Sequence, residues 1–152
     1  MKKTFSASLL IILLCISCTP DHCFEGTESY FKATFYDYVT KDALPPDSVT
    51  IYGLAMDTSK IYDSFVKLQP ANFPLNPSTD SVGFVIMING ITDTMKIFYT
   101  SYYHFVSKEC GFTFYHDLTS DSIKITTNGI DSIHIMRSTV KTTNEENLRI
   151  FY

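Results

Sequence analysis

Asp80-Ser-Val-Gly-Phe-Val-Ile-Met-Ile-Asn89-Gly90-Ile-Thr-Asp-Thr-Met-Lys-Ile-Phe-Tyr-Thr100 is two alternating runs joined at Asn89-Gly90. Asparagine followed by glycine supplies the two positive-φ positions of a type I′ turn, whose twist suits a pair of antiparallel strands. A two-residue loop there sets Ile88 opposite Ile91, Phe84 opposite Met95 and Val82 opposite Ile97, all on one face, with Thr92, Thr94 and Lys96 on the other. A one-residue slip would turn the whole apolar set to solvent, so turn chemistry and hydrophobic pattern specify one register. Asp93 alone interrupts the apolar face; its place near the turn predicts that water reaches it.

Outward from this hairpin the same period recurs. From Ser29 to Tyr38, Phe31, Ala33 and Phe35 alternate with Lys32, Thr34 and Tyr36, which predicts a half-buried strand. Pro45 and Pro46 interrupt the chain, and Ser48 to Leu54 reads as a second strand. Ala55 to Leu68 fits either a strand or a single helical turn. Gln69 to Thr79, with Pro70, Pro74 and Pro77, must be loop or edge. Beyond the hairpin, Tyr102 to Cys110 continues as strand, Cys110-Gly111 is a bend, and Phe112 and Phe114 resume the strand. Thr127-Asn128-Gly129 predicts a second hairpin with a three-residue loop, Gly129 left-handed and Ile123 opposite Ile133. Thr142 to Asn147 is a polar turn, and Leu148 to Tyr152 a last short strand. Many short strands with turn signals between them, and no helical period of useful length, predict an all-β fold: an antiparallel β-sandwich, immunoglobulin-like or similar. The one-sided alternation argues against a barrel facing lipid.

Composition agrees. The chain has 152 residues, a formal charge of −4, 12 Phe, 10 Tyr and no Trp. Plentiful aromatic and β-branched residues favour strands. Lys2 and Lys3 stand outside the expected domain, so the remainder is more acidic still, and no basic patch exists to recruit nucleic acid. These two lysines precede an apolar core, Leu9 to Leu14, in the layout of a secretory signal too short to span a bilayer. Ile16 and Ser17 then lead into Cys18, which resembles the bacterial lipoprotein signal. In that family the cysteine thiol takes a diacylglycerol, the preceding segment is cut off and the new amine is acylated. Cys15 stands where the family usually has Leu. The expected division is therefore residues 1–17 signal peptide, 18–28 lipid-anchored tether and 29–152 sandwich domain, with the membrane a partner through Cys18. Thr19 rather than Asp after the cysteine implies, by the same resemblance, the outer membrane, with its periplasmic or surface side left open.

With Cys15 removed and Cys18 lipidated, Cys23 and Cys110 remain, and an oxidising exported compartment makes them the natural disulfide. It would close a loop of about 87 residues, worth about 4 kcal/mol, and pin the tether onto the middle of the domain. Cys23 with His22 as a metal pair is the competing reading, but two adjacent ligands do not make a zinc site.

Chemistry-bearing constellations are sparse. Seven aspartates precede Ser or Thr: Asp47, Asp57, Asp63, Asp80, Asp93, Asp121 and Asp131. Carboxylates beside hydroxyls suit calcium, but these steps are scattered singly and read as turn and strand-entry chemistry. Ser64-Phe-Val-Lys67 matches the Ser-x-x-Lys of penicillin-recognising hydrolases, which needs a helix starting at the serine. His22, His104, His116 and His134 never share a ligand spacing. No catalytic residue, cofactor or metal is expected. The best candidate binding surface is the aromatic run that includes Phe98, with Tyr99, Tyr102, Tyr103 and Phe105 as its site residues; core and edge packing is the competing reading.

Cys23 with Gly26-Thr27, Asp47-Ser48-Val49 before Tyr52-Gly53, Gly90-Ile91-Thr92-Asp93-Thr94, and Phe105-Val106-Ser107-Lys108-Glu109-Cys110-Gly111 together resemble an uncharacterised lipoprotein family of Bacteroidetes, a domain of unknown function. The resemblance runs from about Cys23 to Val140 and implies location and architecture but no catalytic residues. It also maps the family's paired cysteines onto Cys23 and Cys110. The functional expectation is a non-enzymatic binding or accessory module of the cell envelope, with an envelope protein as partner. Its alternative is a glycan or peptide binder using exposed Tyr and Phe.

Overall fold

A computed structural model describes residues 23, 26–54 and 59–152. The expected signal, the Cys18 lipid site, Cys15 and His22 lie outside the described residues. Among the described residues ten strands form: β1 Tyr30–Tyr36, β2 Val49–Gly53, β3 Lys60–Phe65, β4 Ala71–Pro74, β5 Ser81–Ile88, β6 Ile91–Ser107, β7 Gly111–Ile125, β8 Ser132–Ile135, β9 Thr139–Val140 and β10 Leu148–Phe151. They make two sheets, β4-β1-β10-β8 and β3-β2-β5-β6-β7-β9, packed as a sandwich. Among the described residues no helix is long and apolar enough to cross a membrane.

The central hairpin has the expected register, with Ile88 opposite Ile91, Phe84 opposite Met95 and Val82 opposite Ile97. Asn89 and Gly90 take positive φ, 49° and 88°. Asn89 also ties the turn to the start of β2, its side-chain oxygen accepting from the Ser48 amide at 3.0 Å. In β1, Phe31, Ala33 and Phe35 are fully buried, as their period demands. The ambiguous Ala55–Leu68 segment contains β3 at one edge, and the proline-rich segment contains β4 at another. Phe73 on β4 closes the space between the sheets, edge-on to Phe84 at 5.0 Å and to Phe31 at 6.3 Å.

Two features depart from the sequence reading. The last strand is central, and it pairs β1 in parallel, Ala33 with Leu148 and Phe35 with Ile150, within an otherwise antiparallel sandwich. Asn147, buried at the entry to β10, holds it there: its side-chain oxygen accepts from the Lys32 amide at 3.1 Å, and its amide donates to the Thr139 carbonyl at 3.2 Å. The second departure is that the hairpin expected at Thr127-Asn128-Gly129 does not form. Ile123 pairs with Ile97 in one sheet and Ile133 with Ile150 in the other, so the segment is a crossover between sheets.

Asp93 explains the crossover. It is 2% exposed, not within reach of water as its position suggested. One carboxylate oxygen accepts from the Thr126 hydroxyl and the Asn128 amide, both at 2.7 Å; the other accepts from the amides of Gly129 at 2.8 Å and Ile130 at 3.0 Å. Burial works to raise the Asp93 pKa, but these donors outweigh it and hold the carboxyl below its ordinary value. Gly129 is required by close approach rather than by backbone angle, since a β-carbon there would lie 2.7 Å from Cγ2 of Ile91. We expect Asp93→Ala to cost about 3 kcal/mol, because buried amides lose a charged acceptor. Urea unfolding checks it; an unchanged midpoint would mean that the crossover stands without the carboxylate.

Candidate functional site

β6 and β7 are far longer than the other strands, 17 and 15 residues, and their paired ends form one aromatic hairpin. Tyr102 pairs with Tyr115, Tyr103 with Phe114 and Phe105 with Phe112, and the turn closes between Ser107 and Gly111. Gly111 takes φ 72°, the bend expected at Cys110-Gly111. On one face Tyr103 lies against Phe114, ring centroids 4.5 Å apart, and Phe105 against Phe112 at 5.2 Å. On the other, His104 stacks on Tyr115 at 4.0 Å. Cross-strand aromatic pairs of this kind stiffen a two-stranded ribbon.

The predicted surface residues divide. Tyr103 is 74% exposed, Phe105 52% and Tyr102 40%, and these three do share the projecting hairpin. Tyr99 does not belong with them, being 1% exposed in the core. It sits where β6 still lies between the sheets, and its hydroxyl donates to the Asn76 carbonyl and accepts from the Asn76 amide, both at 3.0 Å. Phe112, 67% exposed, is a member that the sequence reading missed. Turn residues alone do not place it: a two-residue turn at Cys110-Gly111 would set Phe112 opposite Glu109, whereas the turn closes between Ser107 and Gly111 with a register shift that sets Phe112 opposite Phe105.

The chain's leading segment runs along the free edge of β7. The sulfurs of Cys23 and Cys110 lie at bonding distance, with Cα atoms 4.8 Å apart. Further along, the Thr113 hydroxyl donates to the Thr27 carbonyl and the Ser29 hydroxyl to the Phe114 carbonyl. Residues 27–30, with Pro74, Leu75, Pro77, Phe114 and His116, line a cleft of about 250 Å³ at the hairpin's base. His116 is buried beneath it, with Nδ1 2.8 Å from the Ser101 hydroxyl and its ring edge-on to Tyr99. Burial lowers its pKa. Among the described residues Ser101 is its one hydrogen-bond partner, so no carboxylate orients the imidazole as a serine–histidine nucleophile requires.

The other sequence candidates are apart from this hairpin. Ser64 lies in strand β3, not at a helix start, and Lys67 turns away to Asp47 at 2.6 Å. The helix that Ser-x-x-Lys chemistry needs is not there. Asp63 pairs with Lys60 at 2.8 Å. Among the described residues no three His, Cys, Asp or Glu side chains are grouped to hold a metal.

A family of unknown function (DUF6452) matches residues 48–152, from the start of β2 through β10. The chain belongs to this family. The DUF6452 match takes in the aromatic hairpin and Cys110, while Cys23 and β1 precede it. No curated protein and no solved structure matches the chain.

Two outcomes follow from this geometry. Reduction of Cys23–Cys110, which closes an 87-residue separation, should cost about 4 kcal/mol and speed hydrogen exchange at Thr113 and Phe114. Unaltered exchange there would mean that the hydroxyl contacts alone hold the leading segment. His116 resists protonation in the fold, so the unfolded chain takes up the proton first and stability falls as pH drops through about 6.5. Urea midpoints at pH values above and below that point should differ less in His116→Gln than in the unaltered protein.

Proposed function

We propose that this member of the DUF6452 family is a lipid-anchored protein of the bacterial cell envelope, on the outer membrane, and a non-enzymatic binding or accessory module. Support begins in the leader: two lysines, an apolar core and Ile16-Ser17-Cys18 in the order of a lipoprotein signal. The observation that carries the reading is the Cys23–Cys110 pairing. Such a bond persists in exported compartments. It also fastens the segment just after Cys18 to the folded domain, which suits a protein held on a short leash at a surface. Diacylglycerol with a further acyl chain anchors where one chain would not, at about 0.8 kcal/mol per buried methylene. The rings exposed at the β6–β7 tip, Tyr103, Phe105 and Phe112, fit recognition.

Cys18→Ala should move the protein from the membrane fraction to the soluble one, and intact mass of the native protein should show diacylglycerol and the loss of residues 1–17. Retention of Cys18→Ala on membranes would defeat the anchor. Two reactive thiols at Cys23 and Cys110 in the exported protein would defeat the oxidised compartment.

A further inference from the structure

The hairpin tip and the anchor are not independent. Cys18 and Cys23 are five residues apart, so their Cα atoms can be separated by at most about 18 Å. Cys23 in turn is bonded to Cys110, in the turn that joins β6 to β7. Whatever surface holds Cys18 therefore holds this end of the domain against it, while β3, at the opposite edge of the sheet, is separated from β7 by β6, β5 and β2. At the tethered end stand Tyr103, Phe105 and Phe112, large rings on one face of the hairpin, each more than half exposed. Three such rings together are costly in water and suited to the interfacial zone of a bilayer, where amphipathic and aromatic side chains concentrate.

We infer that the β6–β7 tip is a membrane-docking surface: its aromatic face inserts among lipid headgroups beside the lipidated Cys18, giving the domain a fixed orientation on the bilayer. This rests on the lipid-anchor reading above and adds to it a second contact, made by the fold itself. The contact is apolar rather than ionic. The turn carries one Lys108 and one Glu109, and the processed chain, without Lys2 and Lys3, is more acidic than the −4 of the full sequence, which gives no attraction to anionic lipid. Docking should therefore withstand salt, unlike a basic patch. The exposed rings at the other end, such as Phe65 on β3, stay in water.

The chain has no Trp, so one introduced Trp reports on its own surroundings. The lipidated full-length product is reconstituted in phosphatidylethanolamine–phosphatidylglycerol vesicles with brominated acyl chains, as Phe105→Trp, Phe112→Trp or Phe65→Trp. Docking predicts blue-shifted emission and severalfold stronger quenching for Trp at 105 and 112 than at 65, unchanged by added salt. A further Cys23→Ser, Cys110→Ser change should bring quenching at 105 down towards that at 65 while the protein still floats with vesicles. Two independent tip positions guard against a variant that misfolds. Flotation with equal quenching at all three positions would overturn docking alone and leave the aromatic face open to a glycan or peptide. Absence of lipid on Cys18 by intact mass, with no flotation, would overturn the anchor and docking together.

Discussion

The carboxylate of Asp93 is the contact on which the arrangement of this sandwich depends. A charged group on the apolar face of a strand is tolerable only if the interior supplies donors, and here the crossover after β7 supplies four. Three of them are successive backbone amides, so the chain from Asn128 to Ile130 is fixed in place as well as satisfied. Ile130 is thereby delivered into the core, and β8 begins in the opposite sheet. The same exchange sets the electrostatics: burial opposes ionisation, the donors favour it, and the donors prevail.

A second constraint governs the other end of the molecule. Sandwich strands normally end where the opposite sheet ends, but β6 and β7 run on as a ribbon. A two-stranded ribbon is marginal alone. This one is reinforced by rings paired across both faces, and by the leading segment along the β7 edge, held by Cys23 and by the Thr27 and Ser29 contacts. The covering also shields unpaired backbone at that edge. Stiffness and exposed rings in one element suit a surface that presents itself to something, and the segment that stiffens it is also the one that leads to Cys18.

Much of this is legible in the amino-acid sequence. The Asn89-Gly90 hairpin, the buried set Phe31, Ala33 and Phe35, and the bend at Gly111 follow from periods and turn residues a few positions apart. The pairing of Cys23 with Cys110 followed from compartment and count rather than geometry. Tyr99 was misplaced because period two continues unbroken from the core into the ribbon: Ile97, Tyr99, Ser101, Tyr103 and Phe105 share one face, and nothing local says where the opposite sheet stops. Phe112 was overlooked because its exposure depends on the same boundary.

The amino-acid sequence by itself determined the all-β class and the register of β5 against β6, because side-chain alternation and type I′ turn chemistry act over a few residues and agree. Tertiary structure alone decided that β8 leaves β7 for the other sheet, that β10 lies parallel to β1, and that Asp93 is buried. Each of these is a choice between partners far apart in the chain. It is settled by which crossing satisfies buried polar groups and fills the space between the sheets, quantities that exist only once both sheets are in place.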